Sequence, residues 1–440
     1  MCGPVPLGGG FVAAGGGGQA GGTTVVGGGA GNAGGAAGPR LTAPGPAHIV
    51  VADPFTFTVS ATPEPAAWLW SVTGPDGQGQ PIVGATTGRP TFTARLAGQH
   101  LVSVTATNDA GVGTTLNFPL VVSAGRVLPF QPTAVAAHRA SNRIALGREP
   151  TPAVELIDAL TGLMVRVPVT RVPLSLAFTP DGSRVVVGEV AQVEVIALTG
   201  ASPSVIARWP LASDVTAITA SETHAYWSNP TDRSVNWVRL DTGTTGTRSD
   251  ASFLSKLQLH PDGTRLYATS ALLQRLVRLD LASDGGAVLA ATESRYGAQY
   301  PLCDQLWLSH DGRQLVSGCG VLFRLAPLAA DDLVYGGRLP QLPYRSVDDS
   351  VDGGDFVALT QLVESFPDRT QGPLLVTLGH ASLTQTAVRS LPSRTFSGEG
   401  LLIASFVFVD STNRTHALLV GREGVPTPRT VWLTFEPGVP

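Results

Sequence analysis

Segments in which apolar and polar residues alternate recur along most of this chain, and short turn sequences separate them. In the first third they lie at residues 47–51, 55–61, 67–72, 91–94, 100–107 and 116–122. Alternation with a period of two is typical of β-strands with one buried face, and sequences such as Pro75-Asp76-Gly77 favour turns. Several strands at this spacing predict a small β-sandwich over residues 40–124.

The remainder of the chain, residues 125–440, contains a repeated hairpin pattern. Residues 175–188, 257–270 and 307–318 each have the pattern of a strand, an Asp-Gly turn and a second strand. A third strand is predicted at 154–158, 193–197, 235–241 and 276–280, and a turn and a fourth strand complete the unit. Four-stranded units of this length are typical of the blades of a β-propeller.

The spacing of the repeats predicts seven blades with a period of about 41 residues, the sixth carrying an insertion. The second strands begin near Ile144, Val185, Ala225, Leu266, Leu315, Val357 and Leu418. The last unit has three strands, at 402–409, 417–421 and 430–435, and residues 126–130 are expected to supply its fourth. That pairing would close the ring without a free sheet edge. The predicted fold class is all-β, a seven-bladed β-propeller over residues 125–440 that follows the small sandwich.

Two resemblances extend this interpretation. Trp68-Leu69-Trp70 and the run of residues 97–108 resemble bacterial Ig-like modules of the PKD type, which implies an Ig-like sandwich that serves as an extracellular spacer or adhesive module. The Pro-Asp-Gly-x-Arg turns at 180–184 and 261–265 resemble those of YVTN-type and WD-type bacterial β-propellers. This second resemblance covers residues 125–440. It implies the fold but no single function, because propellers serve binding, scaffolding and unrelated chemistries.

Residues 1–39 have a different composition from the rest of the chain, since 17 of them are Gly. Such a segment buries too little apolar surface to offset its ordering entropy, so we expect a flexible tether. Residues 29–34 fit the G-x-G-x-x-G spacing of dinucleotide sites. No strand pattern precedes them and no helix pattern follows, so no nucleotide cofactor is predicted.

Charge and hydropathy exclude two further classes of protein. The formal net charge is −4 and the pI is about 6.1, whereas a dedicated nucleic-acid-binding protein needs a basic face. The sequence has no continuous apolar run of the roughly 18 residues that a transmembrane helix needs.

Two of the three cysteines predict a disulfide. Cys303 and Cys319 flank the hairpin whose turn is Asp311-Gly312 and are nearly opposite each other, where Cβ atoms can come within disulfide range. A disulfide is typical of an oxidising compartment, and two buried thiols in a reduced protein are the alternative.

The third cysteine, Cys2, is followed by the Gly-rich segment. The order Met1-Cys2-Gly3 resembles the lipid-modified mature end of a bacterial lipoprotein. This resemblance implies lipidation of Cys2 and an anchor in the outer membrane or at the cell surface. The alternatives are an incidental cysteine in a cytosolic protein, a truncated chain and an intermolecular disulfide.

One acidic run has the spacing of a cation-binding loop. Asp348, Ser350 and Asp352 fit the start of a calcium loop, but the twelfth position is Leu359 rather than Glu, which excludes an EF-hand. Alignment of the repeats places Asp352 in a hairpin turn, and turn formation is the alternative explanation. Calcium at these three residues is the one cofactor hypothesis, and no other cofactor is predicted.

The histidines and tryptophans form no catalytic motif in the sequence. None of the eight His belongs to a close metal-binding pair, and His260 and His310 precede Asp-Gly turns, where we expect them to stabilise blades. No G-x-S-x-G sequence is present. The seven Trp fall mainly in strand patterns, so packing is expected, and a stacking platform for sugars or peptides is the alternative.

Three functional hypotheses follow. The first is a non-enzymatic, extracytoplasmic binding or scaffold lipoprotein that presents the propeller to a protein partner in the cell envelope. The second is a periplasmic hydrolase or lactonase-like enzyme with a convergent polar site at the central channel. The third is a surface adhesin or glycan binder that uses Trp-rich loops.

Overall fold

A computed structural model describes most of the chain after residue 36. The described residues are 37–42, 47–200, 202–229, 234–249, 254–270, 274–296, 298–303, 305–340, 344–361, 373–391, 402–421 and 430–435. All regular elements in these ranges are β-strands, and none of the ranges contains a helix long and apolar enough to cross a membrane. Cys2 and residues 1–36 of the predicted tether lie outside the described residues.

The strands up to Ser123 form three sheets. A two-stranded sheet pairs β1 (Arg40–Thr42) with β4 (Ser60–Thr62). A five-stranded sheet has, in spatial order, β2 (Ala47–Val50), β10 (Gly113–Ser123), β9 (Gly98–Thr107), β5 (Ala67–Thr73) and β6 (Gly79–Gln80). A three-stranded sheet has the order β3 (Pro54–Thr56), β8 (Thr91–Thr93) and β7 (Ile82–Val83).

An aromatic core joins the five-stranded and three-stranded sheets. Trp70 of β5 and Phe92 of β8 both pack against Phe57, with ring centroids 5.3 and 6.1 Å from it. The single strand predicted over 55–61 is two strands, β3 and β4. The chain leaves β3 at Phe57, whose N–H donates to Pro90 O at 2.9 Å, and β4 then pairs in a different sheet.

After β10, the described residues contain seven four-stranded antiparallel sheets. The first three take their strands in chain order from β12 (Pro132–His138), β13 (Arg143–Arg148), β14 (Ala153–Asp158) and β15 (Met164–Pro168); from β16 (Ser175–Phe178), β17 (Arg184–Glu189), β18 (Gln192–Ala197) and β19 (Ser204–Pro210); and from β20 (Ile218–Ala220), β21 (His224–Asn229), β22 (Ser234–Arg239) and β23 (Thr245–Arg248).

The next three sheets also consist of four strands that are consecutive in the chain. Their strands are β24 (Leu254–Leu259), β25 (Arg265–Ser270), β26 (Arg275–Leu281) and β27 (Val288–Glu293); β28 (Leu306–Leu308), β29 (Gln314–Ser317), β30 (Val321–Arg324) and β31 (Val334–Arg338); and β32 (Tyr344–Asp349), β33 (Asp355–Gln361), β34 (Pro373–Gly379) and β35 (Gln385–Ser390).

The seventh sheet combines the two ends of this region. It has the order β11 (Gly125–Leu128), β38 (Thr430–Phe435), β37 (Thr415–Gly421) and β36 (Leu402–Val409), and Arg126 of β11 is opposite Trp432 of β38. Its pairing strand covers 125–128, where the sequence analysis expected 126–130. The outermost strand of the last sheet is therefore supplied from the start of the region.

Hydrophobic clusters lie between neighbouring sheets, and one of them joins the last sheet to the first. One cluster joins the first and second sheets through residues such as Val154 and Val185, and another joins the seventh and first through Trp432 and Ile157. Each sheet thus buries both faces against neighbours, and the seven sheets form a ring.

In six of the seven pairs of neighbouring sheets, described residues in or beside the turns between the first and second strands are hydrogen-bonded to one another. Among the described residues these contacts are His138 Nε2 with Pro180 O (2.9 Å), Asp181 N with Glu222 Oε1 (2.7 Å), His260 Nε2 with Gly312 O (2.9 Å), His310 N with Asp349 Oδ2 (3.2 Å), Val351 N with Asn413 Oδ1 (3.1 Å) and Ser411 N with Asn142 Oδ1 (2.8 Å).

The described residues divide into two compact units. The larger contains Val121–Pro440 together with His48–Phe55 and Thr93–His100, and the smaller contains the other described residues before Val121.

Replacing Gly125 with alanine is expected to weaken the pairing of β11. Gly125 has a φ of +157°, and a Cβ added to it would meet the Trp432 carbonyl oxygen at 2.0 Å. Because a backbone atom cannot yield as a side chain does, we expect a loss of about 2 kcal/mol or more in the free energy of unfolding, measured by denaturant titration. The control is Gly354→Ala, whose added Cβ would have its nearest neighbour at 3.5 Å. Equal stability of both variants would contradict the expectation.

Candidate functional site

The innermost strands of all seven sheets line one cavity of about 470 Å³. Most of the residues in its walls are apolar, chiefly Ala, Val, Leu and Phe, but polar groups contribute nearly as much of the surface of the walls. Three half-buried aromatic side chains contribute to them, Phe178 on β16, Trp307 on β28 and Phe406 on β36. A concave, mostly apolar space with a few polar groups is the usual form of a small-molecule site.

The ionisable residues that line this cavity are His138, His260, His310 and Asp348. Both ring nitrogens of His138 are bonded, to Ser141 Oγ at 2.8 Å and to Pro180 O at 2.9 Å. His260 is likewise held by Gly312 O at 2.9 Å and by the backbone N–H of Asp262 at 3.2 Å. His138 and His260 therefore have structural roles and connect neighbouring sheets, whereas the sequence predicted for His260 only that it stabilises its own blade.

His310 differs from these two histidines. Its Nδ1 bonds to the Asp349 carboxylate, and Asp348 Oδ1 lies 3.4 Å from the same nitrogen. Its backbone N–H also donates to Asp349 Oδ2 at 3.2 Å. Nε2 has no bonding partner among the described residues, and the side chain is 42% exposed. The imidazole is thus fixed at one nitrogen and open at the other.

Arg139 completes this cluster from the turn after β12. Its Nη2 lies 3.2 Å from Asp348 Oδ1 and 3.6 Å from Asp349 Oδ1, and its Nε donates to Val409 O at 3.0 Å. The guanidinium neutralises part of the charge of two adjacent carboxylates that would otherwise repel each other. Residues of three sheets, the first, the fifth and the sixth, therefore meet in the cluster Arg139–His310–Asp348–Asp349.

The cluster favours a protonated imidazole. Burial lowers the pKa of His310, but the hydrogen bond that its Nδ1 donates to Asp349 and the charges of Asp348 and Asp349 outweigh this effect, and the pKa is raised. Burial raises the pKa of Asp348. For Asp349 burial is outweighed by the hydrogen bond and charge of His310, which lower the pKa. The raised pKa extends the pH range in which Nε2 of His310 carries a proton that it can donate, and the deprotonated ring could accept one, as the hydrolase hypothesis requires.

One ligand atom from each of His310, Asp348 and Asp349 lies within 4.8 Å of the others, which is a spacing that a metal ion could use. The donors around the carboxylates oppose this. Asp348 Oδ2 accepts from Val409 N at 2.7 Å, and its Oδ1 accepts from Asp349 N at 3.0 Å and from Arg139. The guanidinium places a positive charge beside both carboxylates. The chemistry of the cluster therefore favours positioning of the imidazole over holding a cation.

The structure divides the three calcium candidates between two roles. Ser350 Oγ donates to Asp352 Oδ1 at 2.5 Å, and Gly354 N donates to the same oxygen at 3.1 Å, so both residues build a turn. Asp348 belongs instead to the cluster with Arg139 and His310. Calcium at Asp348, Ser350 and Asp352 stays a prediction.

Cys303 and Cys319 form a disulfide with Cα atoms 5.3 Å apart. Gly318 N donates to Gln305 O at 3.0 Å, which aligns the two flanks of the β28–β29 hairpin beside the bridge. This agrees with the pairing expected from the sequence.

Comparison with known proteins identifies the fold of the larger region. No protein-family model and no curated protein matches the chain. The β-propeller domain of Cps50 (Swd1) from Myceliophteria thermophila is similar in structure, with 13% identity and a TM-score of 0.52, over 70% of this chain and 98% of that one. The WD40 β-propeller domain of Doa1 gives 12% identity and a TM-score of 0.44, over 69% and 93% of the two chains. At this level of identity, the likeness to Cps50 establishes that the chain contains a β-propeller, and it establishes the fold alone.

Proposed function

We propose that this chain is a non-enzymatic, extracytoplasmic scaffold lipoprotein that presents a seven-bladed β-propeller to a protein partner in the bacterial cell envelope. The ring of seven sheets supports the blade count, and the core around Phe57 supports an Ig-like sandwich before it. The Cys303–Cys319 disulfide supports an oxidising compartment. The lipid on Cys2 is part of the proposal because the order Met1-Cys2-Gly3 resembles the lipid-modified end of a bacterial lipoprotein.

The observation that carries the partner-binding proposal is an exposed apolar hairpin on the first sheet. Leu163, directly before outer strand β15, is 70% exposed, and Met164 and Val165 at the start of that strand are 37% and 45% exposed. Leu160 in the same hairpin is 41% exposed. Exposed apolar side chains in one place mark interaction surfaces more often than single scattered ones do.

The backbone under these side chains is held in place. The Asp158 carboxylate accepts hydrogen bonds from Leu160 N at 3.0 Å and Thr161 N at 2.8 Å, and Gly162 has the positive φ of 69° that the turn requires. A surface that is already ordered loses little conformational entropy on binding, so its apolar contacts can contribute to affinity.

A photo-crosslinking residue in place of Leu163 is expected to capture one discrete envelope protein in native cells. The matched control is the same residue in place of Val388, which lies on β35, the outer strand of the sixth sheet, and is 44% exposed. Leu163→Asp, which changes only an exposed position, should remove most of the captured band from a crosslinker at Met164. Equal, diffuse crosslinking at 163 and 388 would overturn the partner surface.

The same cells test the compartment. Membrane fractionation and intact-mass measurement should find diacylglyceryl-modified Cys2 and an oxidised Cys303–Cys319 pair. An unmodified, fully reduced chain in the cytosol would overturn the lipoprotein proposal.

The positions of the tryptophans do not favour the glycan-binding alternative. All seven Trp lie in strands and are buried or half-buried. A stacking platform on Trp-rich loops would need them exposed.

A further inference from the structure

We propose that the central cavity binds a small amphipathic carboxylic acid, whose apolar body lies against the aromatic walls and whose carboxylate accepts a hydrogen bond from His310 Nε2. This site is separate from the partner surface at Leu163. The ligand site is additional to the scaffold function, and a negative result for the ligand site would leave the scaffold proposal unaffected.

The position of the imidazole is the first argument. Asp349 binds Nδ1 and the backbone N–H of His310, so the ring is held before any ligand arrives. Nε2 is then the ring atom left to bind a ligand in the cavity that His310 lines. His138 and His260 line the same cavity, but in each ring one nitrogen bonds within its own turn and the other bonds to the turn of the next sheet.

The charge of the cluster is the second argument. Asp348 and Asp349 of the sixth sheet and Arg139 of the first are the charged groups that act on His310. Arg139 and a protonated His310 together balance the two carboxylates, whose oxygens already accept hydrogen bonds. The polar group left to meet a ligand is a charged N–H donor, which pairs best with an anionic oxygen.

The apolar residues in the walls favour a ligand with an apolar part. Phe178, Trp307 and Phe406 come from three different sheets, and the remaining wall is mostly Ala, Val, Leu and Ile. An ion with no apolar part would gain nothing from these apolar residues. An aromatic or branched aliphatic body would bury its own surface there, so an organic acid fits better than an inorganic anion.

The test is calorimetric titration of the full chain at pH 6 with 2-naphthoate, using 2-naphthamide as the neutral probe of the same shape. We expect 2-naphthoate to bind, and His310→Ala to weaken it by roughly 10- to 100-fold, as expected for loss of a charge-assisted hydrogen bond. The amide should bind more weakly than the acid and respond little to that substitution. Affinity for the acid should fall as the pH rises through the raised pKa of His310, because the imidazolium is lost above it.

Three further variants keep the test decisive. His310→Gln covers the case that the alanine variant does not fold, and it should weaken acid binding because it removes the charge. Thr219→Phe narrows the cavity without touching His310 and should weaken both probes. His380→Gln changes a histidine that does not line the cavity and should leave binding unchanged.

Two results would overturn the proposal. One is acid binding that is equal in the wild type and His310→Ala, or equal for acid and amide. The other is no binding of 2-naphthoate to the wild type. Neither result would affect crosslinking at Leu163.

Discussion

Replacing Asp332 with alanine is expected to lower the free energy of unfolding by about 3–5 kcal/mol, the cost of leaving buried charges without their partner. Asp332 lies between β30 and β31 of the fifth sheet, and its side chain is 1% exposed. Its Oδ2 accepts from Tyr267 Oη at 2.7 Å and from Arg278 Nη1 at 2.8 Å, both on the fourth sheet. Arg265 Nη1 lies 3.8 Å from the same oxygen.

Both the fourth and the fifth sheets would lose hydrogen bonds in this variant. Asp332 Oδ1 also accepts from the backbone N–H of Ala326 at 2.9 Å and so holds its own loop. Without the carboxylate, Arg278 and Tyr267 would keep their burial but lose this acceptor, and unsatisfied buried donors are costly.

Denaturant unfolding of the full chain measures this effect. The matched control is Glu293→Gln, which removes the charge of the Arg275–Glu293 pair, where both side chains are 41–45% exposed. Exposed pairs contribute little, so we expect a change of about 0.5 kcal/mol or less there. Asp332→Asn keeps the shape of the side chain, and its loss in the free energy of unfolding should lie between the losses of the other two variants. A loss no larger for Asp332→Ala than for Glu293→Gln would show that the Asp332 network does not stabilise the ring.

Reduction of the Cys303–Cys319 bridge is expected to lower stability by about 3 kcal/mol. The bridge closes a loop with a sequence separation of 16, and cross-linking a loop of this length restricts the unfolded chain by that order. Denaturant midpoints with and without reductant give the comparison. The double variant Cys303→Ser, Cys319→Ser should unfold near the reduced wild type and should not respond to reductant. A midpoint of the wild type that is equal in both conditions would contradict the expectation.

Most of the fold could be predicted from local sequence. Asp-Gly turns and period-two alternation are short-range signals, and they placed the second strands of all seven sheets near Ile144 to Leu418. The strand over 55–61 was predicted as one because alternation does not show which sheet a strand joins. Phe57 and Val59 are buried in the segment that separates β3 from β4.

The candidate site was much less predictable. Asp348-Asp349 stands in an inner strand at the place where others have uncharged pairs such as Ala177-Phe178, and that departure from the repeat was the available signal. Arg139 lies 209 residues from Asp348 in sequence, so no local pattern could bring them together. His260 and His310 have similar turn sequences. The turn of the following sheet decides which ring keeps a free nitrogen, and that is a property of the closed ring.

The pairing of β11 also determines how the ring responds to mechanical load. β11 begins at Gly125, directly after Ala124 and the end of β10 at Ser123, and it is held to β38 by four residue pairs. Tension applied at Ala124, where the chain enters β11, would therefore act on those four pairs. Peeling them away would reduce the seventh sheet to three strands and expose the edge of β38. The strand that completes the seventh sheet is thus also the strand that such tension would detach first.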